Sequence, residues 1–249
     1  MQNPFIWHDL MTTDVEGAKA FYATVLGWTY SIQPPDYHLA QVGGSDMGGI
    51  MATPEDAKAM PPFWAGYVYT PDVDATCAKV KSLGGTVCKE PWDIPGILRM
   101  AVIADPTGAT LNVMQPLMQG ERAELPPGAQ GTVGWSELHA GDLDTAWDFY
   151  SALFGWSKGT TMDMGPMGIY QLFQIDSKDA GGMMKKHPSM PMPCWSYYFN
   201  VSGIDAAISR VTASGGKVLM GPHQVPGGSW IINGMDPQGA MFALVSLAK

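Results

Sequence analysis

The sequence predicts an α+β fold of four βαβββ modules, set as two tandem domains that each carry a cupped sheet. Three observations lead there. The chain repeats itself: WHDLMTTDVEGAKAFYATVLGW (Trp7–Trp28) returns as WSELHAGDLDTAWDFYSALFGW (Trp135–Trp156). Within each copy the apolar spacing switches between a period of two and the helical period. Turn signals fall at matching places, Leu83–Val87 against Ser214–Val218 and Asp105–Ala109 against Asp236–Ala240. A repeat of this length is two copies of one domain.

The first copy divides in order. Trp7–Met11 is rich in large apolar residues and alternates, which predicts a strand. Asp14 is placed to cap a helix. Val15, Ala18, Phe21, Tyr22 and Val25 then recur at helical spacing until Gly27 closes it. Short strands are expected around Thr29–Ile32, Tyr37–Val42 and Gly49–Ala52. The pattern then restarts: strand Trp64–Tyr69, helix Asp74–Leu83, strands Thr86–Lys89 and Leu98–Ala104, a turn at Asp105–Gly108 and strand Thr110–Gln115. The second copy repeats the series. A strand–helix–strand unit puts its helix on one face of a sheet and leaves the other face to curl around something. Gln115–Gly131 is polar, holds Pro126-Pro127 and separates the copies. The expected boundaries are therefore a first domain at 1–116, a linker at 117–131 and a second domain at 132–249.

The totals bound the function. The 249 residues suffice for two ordinary cores, and 46% hydrophobic with 15% charged residues marks a globular chain. A net charge of −9 argues against nucleic acid or an anionic membrane as partner. No apolar run approaches the roughly 20 residues of a membrane span. Cys77, Cys88 and Cys194 follow no metal or disulfide spacing. With no signal peptide read at the start, they suggest a reducing cytoplasm. The expected partner is a small molecule, and a homodimer stays open.

The ordered set Asp14…Phe21-Tyr22…Leu26-Gly27-Trp28, then Asp105-Pro106-Thr107-Gly108, twice over, resembles the vicinal oxygen chelate superfamily. This is also called the glyoxalase/bleomycin-resistance/extradiol dioxygenase fold. The resemblance covers nearly the whole chain. It implies paired modules that cup a divalent metal, held by His or Glu on the first and last strands of each module. Here those positions read Trp7 and Trp135, residues near Ala65 and Ser196, and Asn112 and Ala243. Trp and Ala side chains cannot hold a hard cation, and Asn and Ser are weak ligands alone, so neither a metal nor a cofactor is expected.

Strand parity then nominates the site. Trp7 and Trp135 would stand where the family holds its metal and offer a flat wall to a planar ligand, core tryptophans being the plain alternative. Asp9 and Glu137 share that face two residues on. An unpaired buried carboxylate is costly, so each should meet a donor, a ligand or water, and each is a candidate catalytic base. His139 follows on the same face, opposite Met11 in the first copy. Tyr67 and Tyr198 match each other as hydroxyl donors. Arg99, matched by Trp230, could bind an anionic group or pair with Asp9. Trp7, Tyr67, Arg99, Asn112, Trp135, His139, Tyr198 and Trp230 are thus the candidate ligand-binding residues. His8 faces the other way. Two function classes stay open: a metal-free small-molecule-binding protein, or a lyase or oxidoreductase of the glyoxalase/dioxygenase type. The second could use unusual metal ligands or a carboxylate base.

Overall fold

The computed structural model describes residues 2–117 and 125–249. The first copy holds β1 (Phe5–Thr12), α1 (Val15–Leu26), β2 (Thr29–Gln33), β3 (Tyr37–Val42), β4 (Ser45–Ala52), β5 (Phe63–Tyr69), α2 (Val73–Ser82), β6 (Thr86–Ile94), β7 (Leu98–Ala104) and β8 (Thr110–Pro116). The second holds β9 (Val133–Ala140), α3 (Leu143–Phe154), β10 (Ser157–Asp163), β11 (Ile169–Ile175), β12 (Lys178–Lys185), β13 (Cys194–Asn200), α4 (Ile204–Ala213), β14 (Lys217–Gln224), β15 (Trp230–Met235) and β16 (Met241–Ser246). Each copy forms one eight-stranded mixed sheet, in the orders β2-β3-β4-β1-β5-β8-β7-β6 and β10-β11-β12-β9-β13-β16-β15-β14. This is the α+β architecture of four βαβββ modules. The linker expected over 117–131 falls in part, at residues 118–124, outside the described residues.

Local chemistry sets the element ends. The Asp14 carboxylate accepts from Gly17 N at 3.0 Å, and Gly27 closes α1 in the left-handed region at φ 78°. Asp142 and Gly155 do the same for α3. Several ends differ from the sequence expectation by a few residues, and two have a local cause. Helix α2 starts one residue earlier, at Val73, because Asp72 caps it, accepting from Ala75 N at 2.9 Å. Strand β6 runs past Pro91 to Ile94. It lies at the sheet edge, where a residue without an N–H breaks no ladder bond.

Packing divides the chain differently from the sheets. One compact unit comprises residues 2–7, 66–117 and 135–195, and the other comprises 8–65, 125–134 and 196–249. Each has an aromatic core. In the first, Trp156 stacks on Phe173 with ring centroids 4.5 Å apart, and Tyr150 meets Trp195 edge-on. In the second, Trp64 packs against Phe199 at 4.9 Å and Tyr22 meets Trp64 edge-on. Rings at these distances stabilise beyond their buried area. A buried hydrogen-bond chain runs through the second core: Trp64 Nε1 donates to Tyr22 Oη at 3.0 Å, and Tyr22 Oη donates to Asp236 Oδ2 at 3.0 Å.

Candidate functional site

In the first unit the site is built on β9. Ser136, Leu138 and Ala140 lie buried on one face of this strand. Alternation sends Trp135, Glu137 and His139 to the other. Glu137, 8% exposed, is held there by Tyr170 of β11, whose hydroxyl donates to Oε2 at 2.8 Å. The indole Nε1 of Trp135 donates to that hydroxyl, also at 2.8 Å. His139 Nε2 lies 3.1 Å from Glu137 Oε1 at the edge of the site, its side chain 15% exposed. Burial, and then the Glu137 charge, push the Cys194 thiol up from its ordinary value, so this cysteine stays protonated and is no nucleophile.

Tyr170 reaches the carboxylate across β12, which lies between β11 and β9 in the sheet. The residue of β12 opposite Glu137 is Gly182. A Cβ there would lie well under 3.0 Å from the Tyr170 ring and hydroxyl, so the absent side chain is the passage for the phenol. The second unit repeats the device. Asp9, 6% exposed, sits opposite Gly49 of β4, and a Cβ at Gly49 would collide with Tyr37 of β3. The Tyr37 hydroxyl donates to Asp9 Oδ1 at 2.6 Å. Here Met11 stands where the first unit has His139.

The structure therefore brings Trp135, Glu137 and His139 together in one unit, and it adds Tyr170 and Tyr37, which sequence reasoning missed. Their signal was present. Each tyrosine precedes the second glycine of the repeated Gly-Gly pair by the same twelve residues. Tyr67 and Asn112 are buried register partners on β5 and β8. Tyr198, also buried, is the register partner of Ala243. Trp7 is half-buried on β1. His8 lies on the other face of β1, edge-on to Tyr197 at 4.6 Å.

Two candidates have partners of their own. The Arg99 guanidinium does not pair with Asp9. Its Nε and Nη2 donate to Asp74 at 2.7 and 2.9 Å, and its Nη1 donates to Asp93 at 2.8 Å. Arg99 shares strand parity with Ala101 and Ile103, which lie fully buried on the side of β7 that carries α2. It belongs to the helix side of the sheet. Trp230 shares parity with buried Ile232 on β15, and Lys249 Nζ lies 4.9 Å from its ring centroid. Neither is carried forward as a ligand contact. A hollow of about 390 Å³ lies in the first unit between the start of α3 and the turn before β11, lined by Asp142, Asp144, Met167, Ile169 and Lys185. It contains none of the expected site residues.

The comparisons with known proteins come from sequence and from structure. The family model described as the Glyoxalase/Bleomycin resistance protein/Dioxygenase superfamily matches residues 5–113 and 132–244. CFP32 of Mycobacterium bovis, whose name carries a provisional glyoxylase label, is 34% identical, covering 97% of this chain and 94% of its own. The anthracycline biosynthesis protein DauV of a Streptomyces strain is 33% identical, covering 98% and 93%. Among solved structures, the Mn(II)-bound glyoxalase of Novosphingobium aromaticivorans is similar with a TM-score of 0.69 at 18% identity, covering 100% of this chain and 83% of that one. The 2,2',3-trihydroxybiphenyl 1,2-dioxygenase of Sphingomonas wittichii is similar with a TM-score of 0.72 at 12% identity, covering 99% and 91%. At such identities these neighbours share the fold.

The neighbour's Mn(II) invites a test of the donor set here. Among the described residues no three of His, Cys, Asp and Glu come together in a way that could hold an ion. The positions where the superfamily carries ligands hold Trp7, Trp135, Asn112 and Ala243. Indole and methyl groups are no ligands for a hard cation, so the residues present do not fit the usual centre. Among the described residues no helix is long and apolar enough to cross a membrane.

Proposed function

This chain belongs to the Glyoxalase/Bleomycin resistance protein/Dioxygenase superfamily, and from that premise we propose that it is a glyoxalase-like protein that binds a small organic molecule without the usual metal. The observation that carries this reading is the face of β9. Where the superfamily carries a metal ligand this strand has Trp135, followed on the same face by a carboxylate held by Tyr170 and an imidazole beside it. An apolar wall with a few convergent polar groups is the usual make-up of a small-molecule site. Asp9 with Tyr37 is its counterpart in the other unit. Two relatives bear names from anthracycline biosynthesis, and a planar aromatic ligand suits an indole wall.

The same observation favours one enzymatic reading over the other. Carboxylate, imidazole and phenol side by side offer proton transfer, so a reaction here would be a metal-free one. Trp7, Tyr67, Asn112 and Tyr198 are proposed as further ligand contacts. The test is native mass spectrometry of the purified protein, with a thermal-shift screen of planar aromatic compounds. A retained or stabilising small molecule whose affinity falls in Glu137→Gln is the expected result. If Glu137→Gln lowers the melting temperature and leaves the affinity unchanged, Glu137 is structural and the reading fails. A transition metal near one equivalent per sheet, lost on mutating Trp135, would overturn the metal-free part.

A further inference from the structure

Resting on the reading that this face of β9 meets a small molecule, we propose that His139 takes the proton of an acidic hydroxyl on that molecule, with Glu137 as its positioning residue. The direction of the hydrogen bonds leads there. An indole N–H can only donate, so the Tyr170 oxygen accepts from Trp135 and its own proton goes to Glu137 Oε2. Glu137 is thereby fixed as the acceptor of the Tyr170 proton, and Trp135 holds that phenol in turn. Its other oxygen lies 3.1 Å from His139 Nε2. A bare nitrogen lone pair would repel a carboxylate oxygen, so Nε2 carries the hydrogen. Neutral His139 then keeps its lone pair on Nδ1. That atom makes no hydrogen bond to any described residue, on a side chain still 15% exposed.

The second unit is an internal control. Its carboxylate–tyrosine pair, Asp9 with Tyr37, is built over a glycine in the same way, but Met11 occupies the imidazole position. The carboxylate–tyrosine pair is therefore common framework, and His139 is the chemistry added to one copy. In the step itself the ligand O–H bond breaks and its electron pair stays on the ligand oxygen. The proton moves to Nδ1, and the resulting imidazolium is stabilised by the Glu137 carboxylate. Nothing is oxidised or reduced. Tyr170 and Cys194 are two titratable groups near the carboxylate. The first has its proton committed to Glu137, and the second stays a thiol.

The experiment uses para-nitrophenol, whose anion is yellow, with the full-length protein. In the wild type the bound probe should be ionised about 10-fold more than free probe at the same pH, the equivalent of about one pK unit. His139→Asn should bind it with the ionised fraction of free probe. Glu137→Gln should lose most of the excess while Trp135 and His139 remain. Where His139→Asn melts early, His139→Gln is the second variant. A wild-type spectrum in both His139 variants overturns the proposal and leaves the binding reading intact. A wild-type spectrum in Glu137→Gln removes Glu137 from the positioning role. If the wild type binds no para-nitrophenol, the proposal falls with the reading beneath it.

Discussion

Replacing Gly182 by alanine adds one methyl group at the point where Tyr170 crosses β12. The added carbon would lie well under 3.0 Å from the ring atoms and the hydroxyl. Gly182 is not among the residues with positive φ, so the backbone accepts alanine and only space is at issue. Tyr170, 9% exposed, has no solvent route to swing into without leaving Glu137 and Trp135. Overpacking of this kind costs about 1–3 kcal/mol. Losing the Tyr170–Glu137 bond with the carboxylate still buried adds about 1–3 kcal/mol. For a chain of this size each kcal/mol lowers Tm by about 2–4 °C, so the summed cost of about 2–6 kcal/mol corresponds to a fall of roughly 4–24 °C. The decisive measurement is a double-mutant cycle by urea unfolding. In a Tyr170→Ala background the ring is gone and Gly182→Ala should cost under about 1 kcal/mol, a coupling of at least ~1.5 kcal/mol. Equal costs in the two backgrounds would refute the idea that the glycine exists to pass the tyrosine.

Three further outcomes follow from the geometry. Tyr37→Phe removes the hydroxyl that donates to Asp9 at 2.6 Å and should destabilise by about 1–3 kcal/mol in chemical unfolding; a change under ~0.5 kcal/mol would make the bond energetically idle. Burial, outweighing the backbone donors of the loop, raises the Asp236 carboxyl above its ordinary value. The folded state thus binds its proton more tightly than the unfolded chain, so this group costs stability above the raised value, and the cost disappears as pH falls through it. The stability of the wild type relative to Asp236→Asn should accordingly improve as pH falls from neutrality toward the ordinary carboxylate range, and a pH-independent difference contradicts this. Arg99→Gln should cost about 0–1 kcal/mol, because the pairs with Asp74 and Asp93 are largely solvated, and the effect should fade in about 1 M salt; loss of ligand binding in this variant would return Arg99 to the site.

What could be read from the sequence was whatever depends on neighbours along the chain. The caps at Asp14 and Asp142 and the shared face of Trp135, Glu137 and His139 are local, set by capping chemistry and strand alternation. Tyr37 and Tyr170 were missed although they recur at the same spacing from the Gly-Gly pair, because each meets its carboxylate across an intervening strand. The match of Tyr170 to Gly182 and Glu137 appears only once β11, β12 and β9 lie side by side. Arg99 was misplaced for a related reason. Its alignment with Trp230 gave the right strand, but its face follows from Ala101 and Ile103 beneath α2. The start of α2 was missed by one residue because the cap is Asp72, which the sequence reading did not single out.

The interleaving of the packing units bears on what a half of this chain could be. Residues 2–117 supply two segments to the first unit and one to the second, and residues 125–249 supply one to the first and two to the second. A protein cut between the copies would leave each aromatic core divided between two fragments. The Tyr22–Asp236 bond and the Phe21–Phe242 ring contact would have to form between separate molecules. Each fragment alone would hold only part of each core, and a nicked chain should be held together by contacts in both. Covalent fusion turns that encounter into an intramolecular one at millimolar effective concentration. The two copies are held in one chain, and one of the two equivalent strands carries a histidine that the other lacks.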